Sequence, residues 1–313
     1  MTDTILVPLD GSPAAEAALP VAAMLAQRLP AKIRLLHVLE RDAPHRIHGE
    51  RHLTREADAA AYLAEIVARL ARQGIDADWH AHEVPVGDVP LSIASHAAES
   101  GATLILLTAH GGSDARTWLS GVVAQGVIRH AAPPVLLMRV EPGQDEAAFA
   151  PREMLVSIDA DRQGAVALPI AARLARALDI PLRLLAVVPT VETMPGDRAV
   201  AARLIPSGAA VALDLEAEAV ARALQEMAAR LRAAGLPVET TVARGDPAQI
   251  IPTVARAQSA LTALATHGRV GLDAFWSGSV GARIIARGDG PFLLVHPEPP
   301  DAMPIAESTS SRR

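Results

Sequence analysis

The chain has no cysteine among its 313 residues. That excludes disulfides, thiolate metal sites and a cysteine nucleophile, and it suits a reducing compartment. Lys32 is the only lysine among 29 basic residues, so the Gly-Lys-Ser/Thr of a Walker phosphate loop occurs nowhere. No apolar run approaches the ~20 residues needed to span a bilayer. The start, MTDTILVPLDGS, has no basic lead and enters a strand at once, so no secretory signal is expected. A cytoplasmic location without a membrane partner is the expectation. The net charge of −6 argues against a general nucleic-acid binder.

What is present is a chain 50% hydrophobic and 20% charged, long enough for about two domains. Residues 4–9 read as a strand ending at Asp10-Gly11-Ser12, with Ser12 as N-cap and Pro13 opening a helix to about Leu29. Strands follow at 32–39, 76–84, 103–108 and 135–140. Helices are expected at 55–72, 89–99 and 122–131, with Gly74 and Gly101 ending the first two. Residues 40–53 are polar and rich in histidine. Strict alternation of strand and helix calls for a parallel sheet with helices on both faces.

The pattern then repeats. EAALPVAAMLAQRL at 16–29 returns as AVALPIAARLARAL at 165–178, with eight of fourteen positions identical. Pro20 and Pro169 stand at the same point of each, where a proline would kink a helix. Val86-Gly87-Asp88 returns as Arg244-Gly245-Asp246. The offset grows from 149 at Asp10/Asp159 to 157 at Gly111/Gly268, which places an insertion in residues 190–209. The expected layout is a first α/β domain over 1–141, a linker, a second over 152–297, and a disordered tail over 298–313.

Each half carries one glycine-rich turn between its fourth strand and last helix. In the second half an apolar run to Ala265 is followed by His267-Gly268, and Gly278-Ser279-Val280 opens a helix. In the first half Thr108 is followed by His110-Gly111, and Gly121-Val122 opens the helix. Glycine lets backbone amides approach an anion, and a helix N-terminus adds unpaired N–H groups and a positive dipole end. In open parallel sheets a ligand sits beyond the carboxyl ends of the strands, where the strand order reverses. Asp10 and Asp159 lie at such ends.

These blocks resemble the universal stress protein family in its tandem two-domain form. The matching pieces are ILVPLDGS, LLHV, the VGD/RGDP turns and the two closing blocks. The resemblance implies two Rossmann-like domains, each a five-stranded parallel sheet with helices on both faces, packed as an intramolecular pseudo-dimer through their fifth strands. A homodimer is the alternative assembly. It also implies an adenine nucleotide, ATP first, with Mg²⁺ riding on the phosphates. Asp159 would accept a hydrogen bond from ribose or adenine, and Val187 would contact the base. Ala265, His267, Gly268, Gly278, Ser279 and Val280 would enclose the phosphates. The first-half equivalents are Asp10, Val38, Thr108, Gly111, Gly121 and Val122. Val122 lacks the hydroxyl of Ser279, so the second half is the stronger candidate.

Plainer readings stand beside these. Asp10 and Asp159 can serve as helix caps, and His110 and His267 as turn residues bonding their own loops. His45, His48 and His52, with His80 and His82 on one strand face, suggest a metal, but without a paired motif on one element no metal site is assigned. The expected function is nucleotide binding with a regulatory or stress-protective role and little or no catalysis. A slow ATPase or phosphoryl-transfer enzyme, or a nucleotide-free scaffold, are the alternatives.

Overall fold

The computed structural model of the chain describes residues 3–40, 46–47, 50–51, 53–85, 89–110, 122–140, 149–159, 163–194, 200, 202, 206–266 and 279–296. The first half runs β1 (Asp3–Pro8), α1 (Pro13–Glu16), α2 (Leu19–Arg28) and β2 (Ala31–Glu40). A hairpin of β3 (Arg46–Ile47) and β4 (Glu50–Arg51) follows, then α3 (Glu56–Arg72), β5 (Ala77–Val84), α4 (Val89–Glu99), β6 (Leu104–His110), α5 (Val122–His130) and β7 (Val135–Val140). The second half runs β8 (Glu153–Ser157), a 3-10 turn (Gln163–Ala167), α6 (Leu168–Leu178), β9 (Leu182–Val188) and α7 (Pro206–Ala233). It closes with β10 (Val238–Arg244), α8 (Pro247–Gln258), β11 (Ala260–Ala265), α9 (Val280–Arg287) and β12 (Phe292–Val295).

The expected helix from Pro13 to Leu29 is two helices. Ser12 caps the first, its Oγ accepting from the Ala15 amide at 3.1 Å. The second restarts with Pro20 in its first turn, where a missing N–H leaves no partner unmet. Pro169 has the same place in α6, and the residues before it form the 3-10 turn. The inserted residues of the second half carry α7 back to Pro206, which makes it a helix of 28 residues.

The main sheet has ten strands in the order β10-β9-β8-β11-β12-β7-β6-β1-β2-β5. Pairing is parallel within each half and antiparallel at the one junction, β7 with β12. Alternate residues feed two apolar layers that each run the length of the sheet. Ile5, Leu35, Leu106, Met154 and Leu184 lie under α2, α3, α6 and α7. Leu6, Leu36, Ile105, Leu155 and Leu185 lie under α4, α5, α8 and α9.

At the junction Leu136 stands opposite Leu293, with Leu137 opposite Phe292 and Val135 opposite Leu294. The repeat offset of 157 makes Leu293 the counterpart of Leu136, so a local two-fold axis passes between them. Both leucines are fully buried. Side chains at the next counterpart pair reach across in different ways. Arg139 pairs with Asp289 of the second half at 3.7 Å. His296 donates from Nε2 to the Ile128 carbonyl of the first half, and its Nδ1 accepts from the Thr266 hydroxyl at 2.8 Å.

Those bonds require the neutral ring. Burial pushes His296 below the ordinary histidine range, and the bond to Ile128 offsets part of that. As pH falls from about 6.5, the unfolded chain therefore takes up this proton before the folded one does. Stability drops over that window and is retained above it. Between about pH 7.5 and about pH 5.5, thermal melts of wild type should lose more than those of His296→Asn. Equal losses would remove the ring from this role.

Arginines of the second strands anchor the amino-terminal end of the sheet. Arg34 Nε and Nη2 reach Asp78 at 2.6 and 2.5 Å, which holds the Asp78 carboxyl below its usual range. Arg183, the counterpart of Arg34, holds Glu153 at 3.0 Å to both carboxylate oxygens. It also reaches Glu239 at 2.7 Å and the Thr241 hydroxyl at 3.0 Å. These pairs lie opposite the end where the glycine turns begin.

Candidate functional site

Strand order reverses between β1 and β6 in the first half, and between β8 and β11 in the second. A crevice opens beyond the carboxyl ends of strands at such a reversal. Asp10 lies two residues past β1 and Asp159 two past β8, so both carboxylates stand at the expected place. Val38 and Val187 lie near the carboxyl ends of β2 and β9, the strands next to them.

The two sites differ in what closes them. In the first half, Asp10 Oδ1 accepts from the Ser12 amide at 2.9 Å and from its hydroxyl at 2.6 Å. Thr108 Oγ1 donates to the Ala14 carbonyl at 2.8 Å and so ties β6 to α1 across the reversal. Leu53 lies over Gly11, where an added Cβ would meet its side chain at 3.0 Å. Gly11 has φ +90, a conformation that an L side chain rarely adopts. The His37 ring sits between the Leu9 and Leu53 carbonyls, 2.7 and 3.2 Å away, and pins that cover.

In the second half Ala265 occupies the position of Thr108 and Ala186 that of His37, so neither tie can form. Ser279 caps α9, its Oγ accepting from the Ala282 amide at 3.1 Å. Val280 opens the helix and is exposed. A hollow of about 210 Å³ lies between the end of β8 and α7, bounded by Ile158, Asp159, Glu216, Val220 and Met227. A second of about 360 Å³ continues along α7 past Met227 to Arg230.

Gly111, Gly121, His267, Gly268 and Gly278 lie outside the described residues, as do His45, His48, His52 and Asp161. Val122 opens α5 as expected, and His110 ends β6. Three residues near these strand ends carried no signal in the sequence. Thr266 and His296 join the end of β11 to the first half through a contact between residues 30 positions apart. Leu53 reaches Gly11 from a segment with no apolar period.

The model of the Universal stress protein family matches twice, over residues 1–139 and 151–296. The chain belongs to the universal stress protein family. Solved structures agree on the fold over 95% of this universal stress protein. A functionally unknown protein, PA1789 from Pseudomonas aeruginosa PAO1, is 16% identical with a TM-score of 0.64, covering 95% of this chain and 93% of its own. A universal stress protein from Archaeoglobus fulgidus DSM 4304 is 18% identical with a TM-score of 0.62, covering 95% and 97%. A universal stress protein solved in complex with cAMP is 21% identical over 44% of this chain and 97% of its own, with a TM-score of 0.33. Comparison with curated proteins finds no significant match.

Proposed function

We propose that this universal stress protein binds an adenine nucleotide, ATP first, in the crevice of its second half. Its role is then regulatory or stress-protective, with little or no catalysis. The observation that supports this best is the arrangement at the β8/β11 reversal. Asp159 stands at the end of β8, and the chain leaving β11 re-enters as α9 at Ser279. A carboxylate on one side and a capped helix start on the other suit the two ends of a nucleotide.

Asp159 would accept from a ribose hydroxyl or the adenine amine, and the Val187 backbone would meet the base. Backbone amides of Gly268, Gly278, Ser279 and Val280, together with the Ser279 hydroxyl, would take the phosphates, with Ala265 and His267 at the turn's entry. Mg²⁺ would ride on the nucleotide and not in a protein cage. The Thr108 tie and the Leu53 cover make the first-half set, Asp10 to Val122, the weaker site. The halves act as an intramolecular pseudo-dimer in the cytoplasm.

Calorimetric titration of ATP into wild type and Ser279→Val tests the reading. Loss of a hydrogen bond to a charged group should weaken binding by roughly 1 kcal/mol or more, about fivefold. Asp10→Asn should leave the stronger site unchanged. Equal heats in wild type and Ser279→Val would reject the assigned cradle. An unchanged melting temperature at millimolar ATP would reject nucleotide binding, since a ligand held only by the folded state must stabilise it. Phosphate release in the same samples separates binding from slow hydrolysis, and cAMP belongs in the ligand series.

A further inference from the structure

His80 and His82 lie on β5, the last strand of the sheet, and His96 lies on α4. The pairing of β5 with β2 sets His80 beside Leu36 and His82 beside Val38, on the face that α4 covers. One ring nitrogen of each histidine lies within 4.8 Å of the other two. The ring centroids of His96 are 4.8 Å from His80 and 4.9 Å from His82. His96 Nδ1 is 3.0 Å from the Ser92 carbonyl. A carbonyl only accepts, so Nδ1 carries the proton and Nε2 carries the lone pair. Such a backbone partner on the far nitrogen is what orients a metal-binding imidazole.

We infer that His80, His82 and His96 form a three-imidazole site for a divalent transition-metal cation, with solvent completing its shell. Imidazole suits zinc, nickel, cobalt and copper, while calcium and magnesium prefer oxygen. Metal–nitrogen bonds near 2.0–2.1 Å need ligand nitrogens roughly 3.3 Å apart in a tetrahedron. His80 and His82 are exposed, so small rotations of their rings can close the gap. Burial, the two neighbouring imidazoles and Arg34 hold His80 below the ordinary histidine range, against a smaller opposite pull from Glu99.

The fold does not demand these residues. In the second half the strand register puts Thr241 and Ala243 where His80 and His82 stand. The match of the VGD and RGDP turns puts Val254 in the place of His96. The cluster lies between β5 and α4, so its metal would clamp the edge strand to the helix.

The test is a calorimetric titration of ZnCl₂ into the metal-stripped full chain at neutral pH, without nucleotide, which would itself bind zinc. One equivalent should bind to wild type, with affinity at least tenfold lower in His82→Ala and His96→Ala and lost in the triple alanine variant. Circular dichroism should be unchanged in all of them, and His96→Gln gives a second, isosteric check on folding. Co²⁺ should show the visible absorption of a low-coordinate nitrogen site in wild type alone. No saturable zinc binding, or equal affinity in the triple variant, would overturn the proposal.

Discussion

Leu136→Ala and Leu293→Ala should each cost about 2–4 kcal/mol in chemical denaturation, the range for truncating a fully buried leucine. The two side chains face each other across the antiparallel pairing of β7 with β12 in the ten-stranded sheet. Both are at 0% exposure in the layer under α2 and α6. Each truncation opens the same void from opposite sides. The double variant should therefore lose less than the sum of the singles, by about 0.5 kcal/mol or more, as contacting residues do. Strict additivity would mean that the leucines do not share a packing site. Because both apolar layers cross the junction, the loss should lower the unfolding midpoint of both halves together.

Glu153→Ala should cost about 2–3 kcal/mol, measured the same way. Glu153 is 5% exposed, and its carboxylate takes the Arg183 guanidinium end. Removing it leaves a guanidinium that stays charged, since arginine is not deprotonated in proteins. The remaining contacts to Glu239 and Thr241 keep the cost below the ~3–5 kcal/mol of a fully buried broken pair. Asp78→Asn in the first half should cost about 1 kcal/mol or less, because that carboxylate side chain is 43% exposed and water screens it. The lowered Asp78 carboxyl supports the fold above the ordinary aspartate value near 3.9 and loses that support only as pH falls below it. It cannot account for changes between about pH 7.5 and 5.5, which belong to histidines. Equal losses for Glu153→Ala and Asp78→Asn would contradict this difference in burial.

Much of the architecture was legible because strands buried on both faces read as apolar runs. Val135–Val140, Leu182–Val188 and Phe292–Val295 form where those runs stand. Local turn chemistry was legible too: Ser12 caps α1, and Gly74 and Gly101 take positive φ after their helices. The break at Ala17-Ala18 was not, since both residues favour helix and only the proline at position 20 marks it. The hairpin at 46–51 lacks the alternation that marks strands. At the crevices, Asp10 and Asp159 could be placed from the strand ends, while the Thr108–Ala14 bond could not. That bond joins residues 94 apart, and no local pattern encodes it. His96 was missed for the same reason: it meets His80 and His82 only once α4 folds back over β5.

The local two-fold at Leu136 and Leu293 has a further consequence. When two separate copies meet on such an axis, every substitution is imposed on both sides at once. Here the copies are joined, so each side can drift alone: arginine at 139 has histidine at 296 as its counterpart, and threonine at 108 has alanine at 265. Covalent joining also makes the meeting of the halves independent of dilution. One lobe thereby keeps the Thr108–Ala14 tie across its strand reversal, while the other, with alanine at 265, does without it.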